Sequence, residues 1–266
     1  LIGEASWWDG AQRFVAVKAP ASAYPGAPQD RCHLAALVGL EDALDEVSEE
    51  CRRLGFRSVV FGTDHDHIWP GYPQEDTAGL ERLMKAGFRV TGRHVDLERD
   101  LTGYQAPEAS RETLRSHGAE ARPATNGDIE ALDRFLSVAF PGRWRHDTMR
   151  KVVEDQEAED IVLLWVDGKV AGFALTQREG VRRPIGGAVW RRSLGPRWGA
   201  LGPIGLAPEA RGQGLGGALL ASALERLAQR GARRTIIDWT TLEGFYQRHG
   251  FETTRRYVAL SKDLDR

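Results

Sequence analysis

Leu201–Leu220 reads LGPIGLAPEARGQGLGGALL, and the reading of the whole chain turns on it. Leu201, Ile204 and Leu206 mark an apolar strand with Pro203 in its middle. Proline has no N–H to give to a ladder, so this strand is expected to be bulged or paired on one side only. Arg211-Gly212-Gln213-Gly214-Leu215-Gly216-Gly217 follows, and then a helix with Leu220, Leu224 and Leu227 on one face, stopped by Gly231. A glycine-rich turn entering a helix presents free N–H groups and the positive end of the helix dipole. That geometry binds phosphate, and the missing Cβ atoms let a pyrophosphate reach the backbone. A helix entry chosen only for tight packing uses the same glycines, so the turn alone leaves both readings open.

The wider arrangement narrows them. A second strand, Thr235–Asp238, comes after the helix, and then Gly244-Phe245-Tyr246-Gln247-Arg248-His249-Gly250-Phe251. No Gly-Lys-Ser/Thr occurs in the loop. This order resembles the GNAT superfamily of acetyl-CoA-dependent N-acyltransferases over roughly Ala121 to Leu264, with the Arg-x-x-Gly-x-Gly turn and the F-Y-x-x-x-G-F segment both present.

The resemblance implies acetyl-CoA as cosubstrate. Its pyrophosphate would lie on Arg211, Gly212, Gln213, Gly214, Leu215, Gly216 and Gly217, and its pantetheine arm along Ile204, Gly205 and Leu206. Tyr246 stands where such enzymes often keep a general acid; packing, or a hydrogen bond to the cofactor sulfur, is its other reading. The family often has a glutamate on or near the cofactor strand, and Leu201–Leu206 has none. Asp238, at the end of the next strand, is the first choice for the base, against a role as a helix cap or an arginine partner. Trp239 replaces an asparagine that contacts the cofactor in many members, which weakens a detailed transfer of roles. Phe140-Pro141-Gly142-Arg143-Trp144-Arg145 separates two helices, as an acceptor-site loop does in the superfamily. Phe140, Arg143 and Trp144 are the expected acceptor contacts, with an ordinary turn carrying an aromatic plug as the alternative.

Composition sets outer bounds. The 266 residues suffice for two modest domains or one large one. Charged residues make up 28% and the net charge is −2, so electrostatics gives no case for nucleic acid or an anionic membrane. Cys32 and Cys51 lack metal-ligand spacing and read as a buried thiol pair suited to a reducing cytoplasm. No apolar run reaches the roughly 20 residues needed to span a bilayer, and no signal peptide is read. The opening Leu1 fits a fragment or a missing leading segment. Asp64-His65-Asp66-His67 has the look of a metal cluster, but alternate strand residues point opposite ways, and a polar loop is the preferred reading. No metal is expected.

Two segments repeat. Ala86-Gly87-Phe88 through Leu101 lines up without a gap on His249-Gly250-Phe251 through Leu264. Trp7-Trp8-Asp9-Gly10 with Phe14–Val17 resembles Trp165–Gly168 with Phe173–Leu175, each a hairpin with an Asp-Gly turn. The helix Leu40–Leu54, closed by Gly55, matches the one closed by Gly231. In the first copy, strand His33–Val38 runs almost directly into that helix, with no counterpart of the glycine turn. Glu41, Asp42 and Asp45 occupy its first turn, where acids suit the dipole and repel phosphate. The aromatic loop His67–Pro73 reads as packing between copies or as a wall of the acceptor site.

The expected fold is α/β (α+β): two tandem GNAT-like domains, each a mixed, mostly antiparallel sheet flanked by helices. Residues 1–101 form a degenerate, N-terminally incomplete copy. Residues 102–119 form a linker with a short helix from Pro107 to near Gly118, and 120–266 the cofactor-binding copy. The expected function is acetyl transfer to a small-molecule primary amine by direct attack, in the cytoplasm, with oligomeric state open. Two alternatives stand beside it: a non-catalytic CoA-binding scaffold, and an acetyltransferase similar to mycothiol synthase, itself a tandem GNAT protein.

Overall fold

The computed structural model describes residues 4–8, 14–18, 24, 26–38, 43–62 and 69–264. In chain order these form β1 (Glu4–Trp8), β2 (Phe14–Lys18), β3 (Arg31–Val38), α1 (Leu44–Arg53), β4 (Ser58–Phe61), β5 (Tyr72–Pro73), α2 (Thr77–Lys85) and β6 (Arg89–Asp100). Next come α3 (Glu108–Ser116), β7 (Ala119–Pro123), α4 (Ile129–Ala139), α5 (Arg143–Val153), β8 (Ile161–Val166), β9 (Lys169–Arg178) and α6 (Arg191–Leu194). β10 (Trp198–Leu206), α7 (Leu215–Gln229), β11 (Arg234–Thr240), α8 (Glu243–Arg248) and β12 (Glu252–Asp263) complete it. This is a mixed α/β fold of sheet and flanking helices, as the sequence predicts. The residues divide into two compact units: Leu1–Asp96 with Trp239–Glu243 and Thr253–Arg266, and Leu97–Asp238 with Gly244–Glu252.

In the first unit β1, β2 and β3 pair antiparallel in turn, and β3 pairs parallel with β4. β12 runs antiparallel to β4, and β5 pairs with β12. A parallel pair needs a crossover, and α1 supplies it. Leu44, Val47 and Cys51 put its apolar face against Leu34, Val59 and Phe61 in one core. The β1–β2 hairpin is present, while its Asp9-Gly10 turn, the first residues of the expected Leu40 helix and the Asp64–His67 stretch lie outside the described residues. Trp69 of the aromatic loop is partly buried against the same core.

In the second unit β7, β8, β9 and β10 are antiparallel neighbours, β10 and β11 are parallel, and α7 is the crossover. Leu132, Leu136, Val152, Leu163, Phe173 and Leu175 form the core under α4 and α5. α3 starts after Pro107, as read from the sequence, and Arg111 ties it to Glu225 of α7 at 2.8 Å.

Four helices end with the same pair of backbone hydrogen bonds. Gly87 N–H donates to the Met84 carbonyl and Phe88 N–H to that of Leu83; Gly250 donates to Gln247 and Phe251 to Tyr246. The same two-bond closure ends α1 at Gly55 and Phe56, and α7 at Gly231 and Ala232. All four glycines have φ between 75° and 92°, where a Cβ costs energy.

Candidate active site

Pro203 acts as the sequence suggests. β10 pairs with β9 at Gly199–Leu201, the register shifts, and pairing resumes at Ile204–Leu206. Among the described residues, β10 and β11 are paired only over Trp198–Ala200 with Arg234–Ile236. Beyond Ala200 and Ile236 the two parallel strands part. Ile204, Gly205 and Leu206 are held by β9 on one edge and are partly exposed on a segment that β11 no longer covers.

The glycine turn stands at the end of this opening. Gly212 and Gly214 have φ of 75° and 78°, and Gly214 is the N-cap residue of α7. With glycine as cap, no side chain takes the N–H groups of the first turn. A Cβ on Gly212 would meet nothing within 4 Å, so the turn faces open space there. Arg211 is exposed, and its Nε and Nη2 donate to the Leu206 carbonyl at 3.1 and 3.0 Å, bracing the turn against the end of β10. Gly217 lies under the ring of His249, whose Cε1 would sit 2.8 Å from a Cβ there. Burial, and then the charges of Arg248 and Arg99, lower the pKa of this imidazole.

Phe140 lies across β10 at Gly205. A Cβ on Gly205 would be 2.9 Å from Phe140 Cε2 and closer still to Cζ, so only glycine fits beneath the ring. Phe140 stacks with Trp144 at 5.0 Å between centroids and with Phe173 at 5.6 Å. Trp144 remains 39% exposed, so its outer face is open to a ligand. Arg143 is engaged by Asp147, 3.1 Å away in the next turn of α5, and Arg145 forks onto Asp133.

Tyr246 is 4% exposed, wedged between Phe245 and Phe251 with centroids 5.0 and 5.8 Å away. Leu83, which the sequence alignment sets opposite Tyr246, is fully buried as well. Asp238, on β11 past the parting point, has a neighbour that the sequence reading missed: the carboxylate faces Gly186 and Gly187, in the connection between β9 and β10. The adjacent glycines after Pro184 were the available signal. Among the described residues no cluster of three metal-ligating side chains occurs, and no helix is long and apolar enough to cross a membrane.

A parted pair of parallel strands, a proline-bulged β10 and a glycine turn opening α7 form one constellation, and residues 129–251 match the acetyltransferase (GNAT) family. Over that segment the chain is similar to the GNAT acetyltransferases. Its enzyme class is N-acyltransferase, and the GNAT family uses acetyl-CoA. A mycothiol acetyltransferase of Amycolatopsis mediterranei is 29% identical over 247 residues, spanning 82% of this chain and 78% of that protein. Among solved structures, the GCN5-related glucosamine N-acetyltransferase region of a fungal multi-domain β-N-acetylglucosaminidase superposes with a TM-score of 0.79 at 22% identity. It covers 94% of this chain, which spans only 31% of that one. A GCN5-related N-acetyltransferase from Sphaerobacter thermophilus gives 0.66 at 18%, covering 95% of this chain and 77% of that one.

Proposed function

We propose that this chain transfers the acetyl group of acetyl-CoA to a small-molecule primary amine by direct attack. The observation that carries the reading is the parting of β10 and β11 beyond Ala200 and Ile236, with the uncapped first turn of α7 at its end. Free N–H groups at glycine positions fit a pyrophosphate, because they approach it without a Cβ and add the helix dipole. Gly212–Gly217 would hold the diphosphate, and Ile204, Gly205 and Leu206 would hydrogen-bond the pantetheine arm along the edge that β11 leaves.

Acetyl-CoA supplies the thioester carbonyl that the amine attacks. Asp238 takes the proton from the incoming ammonium, and Tyr246 gives one to the departing sulfur. A thiol has a pKa of about 8.5 and a tyrosine about 10, so Tyr246 serves only if its hydroxyl is placed close to the sulfur. Rigid packing between Phe245 and Phe251 favours such placement over a mobile side chain. Phe140 and Trp144 would give the acceptor an apolar wall, and Arg143, shared with Asp147, an anionic contact.

The first half is read as a second GNAT-like copy without a cofactor turn, on the strength of its matching strand order and helix closures. The relative named mycothiol acetyltransferase supports a narrower acceptor, an amine of a thiol conjugate. The test is release of CoA from acetyl-CoA with a panel of amines that includes amino sugars, polyamines and cysteinyl-amine conjugates. Turnover with a cysteinyl amine selects the narrower reading, and turnover with other amines the general one. No CoA release with any member overturns both.

A further inference from the structure

The carboxylate of Asp238 rests on two glycines that none of the assigned roles uses. A Cβ on Gly187 would lie 3.1 Å from Oδ1 and 3.0 Å from Ile236 Cγ2, and one on Gly186 would lie 3.3 Å from Oδ2. Both distances to the carboxylate are tighter than ordinary van der Waals contact. Any larger residue therefore moves either the carboxylate or the backbone opposite it. Gly186 also has φ of 50°, which a side chain would oppose, whereas Gly187 is not in the positive-φ region.

The backbone under these glycines is fastened from three sides. Gln177, only 1% exposed, donates from Nε2 to the Ile185 carbonyl and accepts from the Ile185 N–H, both at 2.8 Å. Lys151, 2% exposed, donates to the Arg183 carbonyl at 3.2 Å and also binds Glu157. Glu157 in turn accepts from the Arg182 N–H at 2.9 Å. A buried amide, a buried lysine and a partly buried carboxylate thus place Arg182, Arg183 and Ile185 in a connection that has no ladder of its own. Gly186 follows Ile185 directly and begins a short 3-10 helix, so the clamp on Ile185 sets where the glycines stand.

We propose that Gly186 and Gly187 form the seat that fixes the Asp238 carboxylate toward the acceptor, and that Gln177 is the positioning residue that holds the seat. The inference rests on the assignment of Asp238 as base. Its force is geometric: a proton acceptor must stand within hydrogen-bond reach of the amine, and displacement by a fraction of an ångström lowers turnover while leaving a cofactor bound elsewhere untouched.

Gly187→Ala and Gln177→Asn, whose amide is one methylene too short to reach both Ile185 groups, are placed in the native chain and in Asp238→Asn. For each protein kcat, the KM of each substrate and the melting temperature are measured. The expected result is a kcat lowered about tenfold or more by either change in the native background, an acetyl-CoA KM within about twofold, and no further loss in the Asp238→Asn background. Losses that multiply with Asp238→Asn, or Gly187→Ala and Gln177→Asn both at native turnover, overturn the seat and leave the base assignment standing if Asp238→Asn is itself impaired. Native activity of Asp238→Asn overturns both. A Gly187→Ala protein that melts early leaves the decision to Gln177→Asn, read in the same way.

Discussion

The backbone N–H of Trp239 donates to Oδ1 of Asp96 at 3.0 Å, and Asp96 has no exposed surface. Trp239 has φ of 47°, a conformation that a bulky residue rarely adopts. The buried carboxylate holds it there. Tyr257, 3% exposed, has its phenol pKa pushed up by burial first and then by the charge and hydrogen bond of Asp96. Asp96→Ala leaves the Trp239 N–H and the Tyr257 hydroxyl short of a partner. A loss of about 2–4 kcal/mol is expected, with a smaller one for Asp96→Asn, which still accepts one bond. Urea denaturation of the three proteins checks this, and equal stability of Asp96→Ala and the native chain contradicts it.

Gly216→Asp tests the phosphate turn. A Cβ at this position meets only Leu206 Cδ1, at 3.5 Å, so the fold tolerates the side chain. If the proposed turn holds the pyrophosphate, the added charge repels it: acetyl-CoA affinity by calorimetry should fall more than tenfold, with a melting temperature close to native. Titration of the native chain should give one site per chain, since the sequence between β3 and α1 has no counterpart of the glycine turn.

Tyr246→Phe separates the acid from the packing role. The ring contacts with Phe245 and Phe251 survive the change, so stability and acetyl-CoA affinity should stay near native. Loss of a transition-state proton donor lowers kcat and kcat/KM together, by roughly 10²-fold or more. Activity within twofold of native across the pH range would leave Tyr246 as a core residue, as Leu83 is in the first repeat.

Asp160 provides a pH test of stability in the second unit. Burial raises its pKa from 3.8 to about 6, against the opposing charges of Arg230 and Lys151. The folded chain therefore holds this proton more tightly than the unfolded chain between pH 3.8 and 6. The group's contribution is most favourable below that window and is lost as pH rises through it. Asp160→Asn should gain stability relative to the native chain as pH goes from 4 to 7, read as the difference in melting temperature. A constant difference across that range would mean that Asp160 titrates normally.

Several features were readable one residue at a time. Pro203 announced the register shift in β10, because a residue without an N–H cannot sit in a ladder wherever the strand lies. Gly87 and Gly250 announced two helix ends with matching closures, because a positive φ is a property of the residue and its own turn. Gly212 and Gly214 announced the uncapped start of α7 for the same reason. Such local signals, taken with their order, were enough to read the mixed fold and the acetyltransferase class.

Tertiary structure alone decided what faces what. It laid Phe140 over Gly205 and the Asp238 carboxylate on Gly186 and Gly187. It also placed Thr253–Arg266 in one compact unit with the first half of the chain, although the sequence reading assigns those residues to the second copy. The physical reason is the range of the forces. Backbone φ and a helix-closing hydrogen bond are set within five or so residues, so the sequence displays them directly. The partner of a side chain is chosen by close packing among segments far apart in the chain, and a glycine reserved for such a contact looks in sequence like any other glycine.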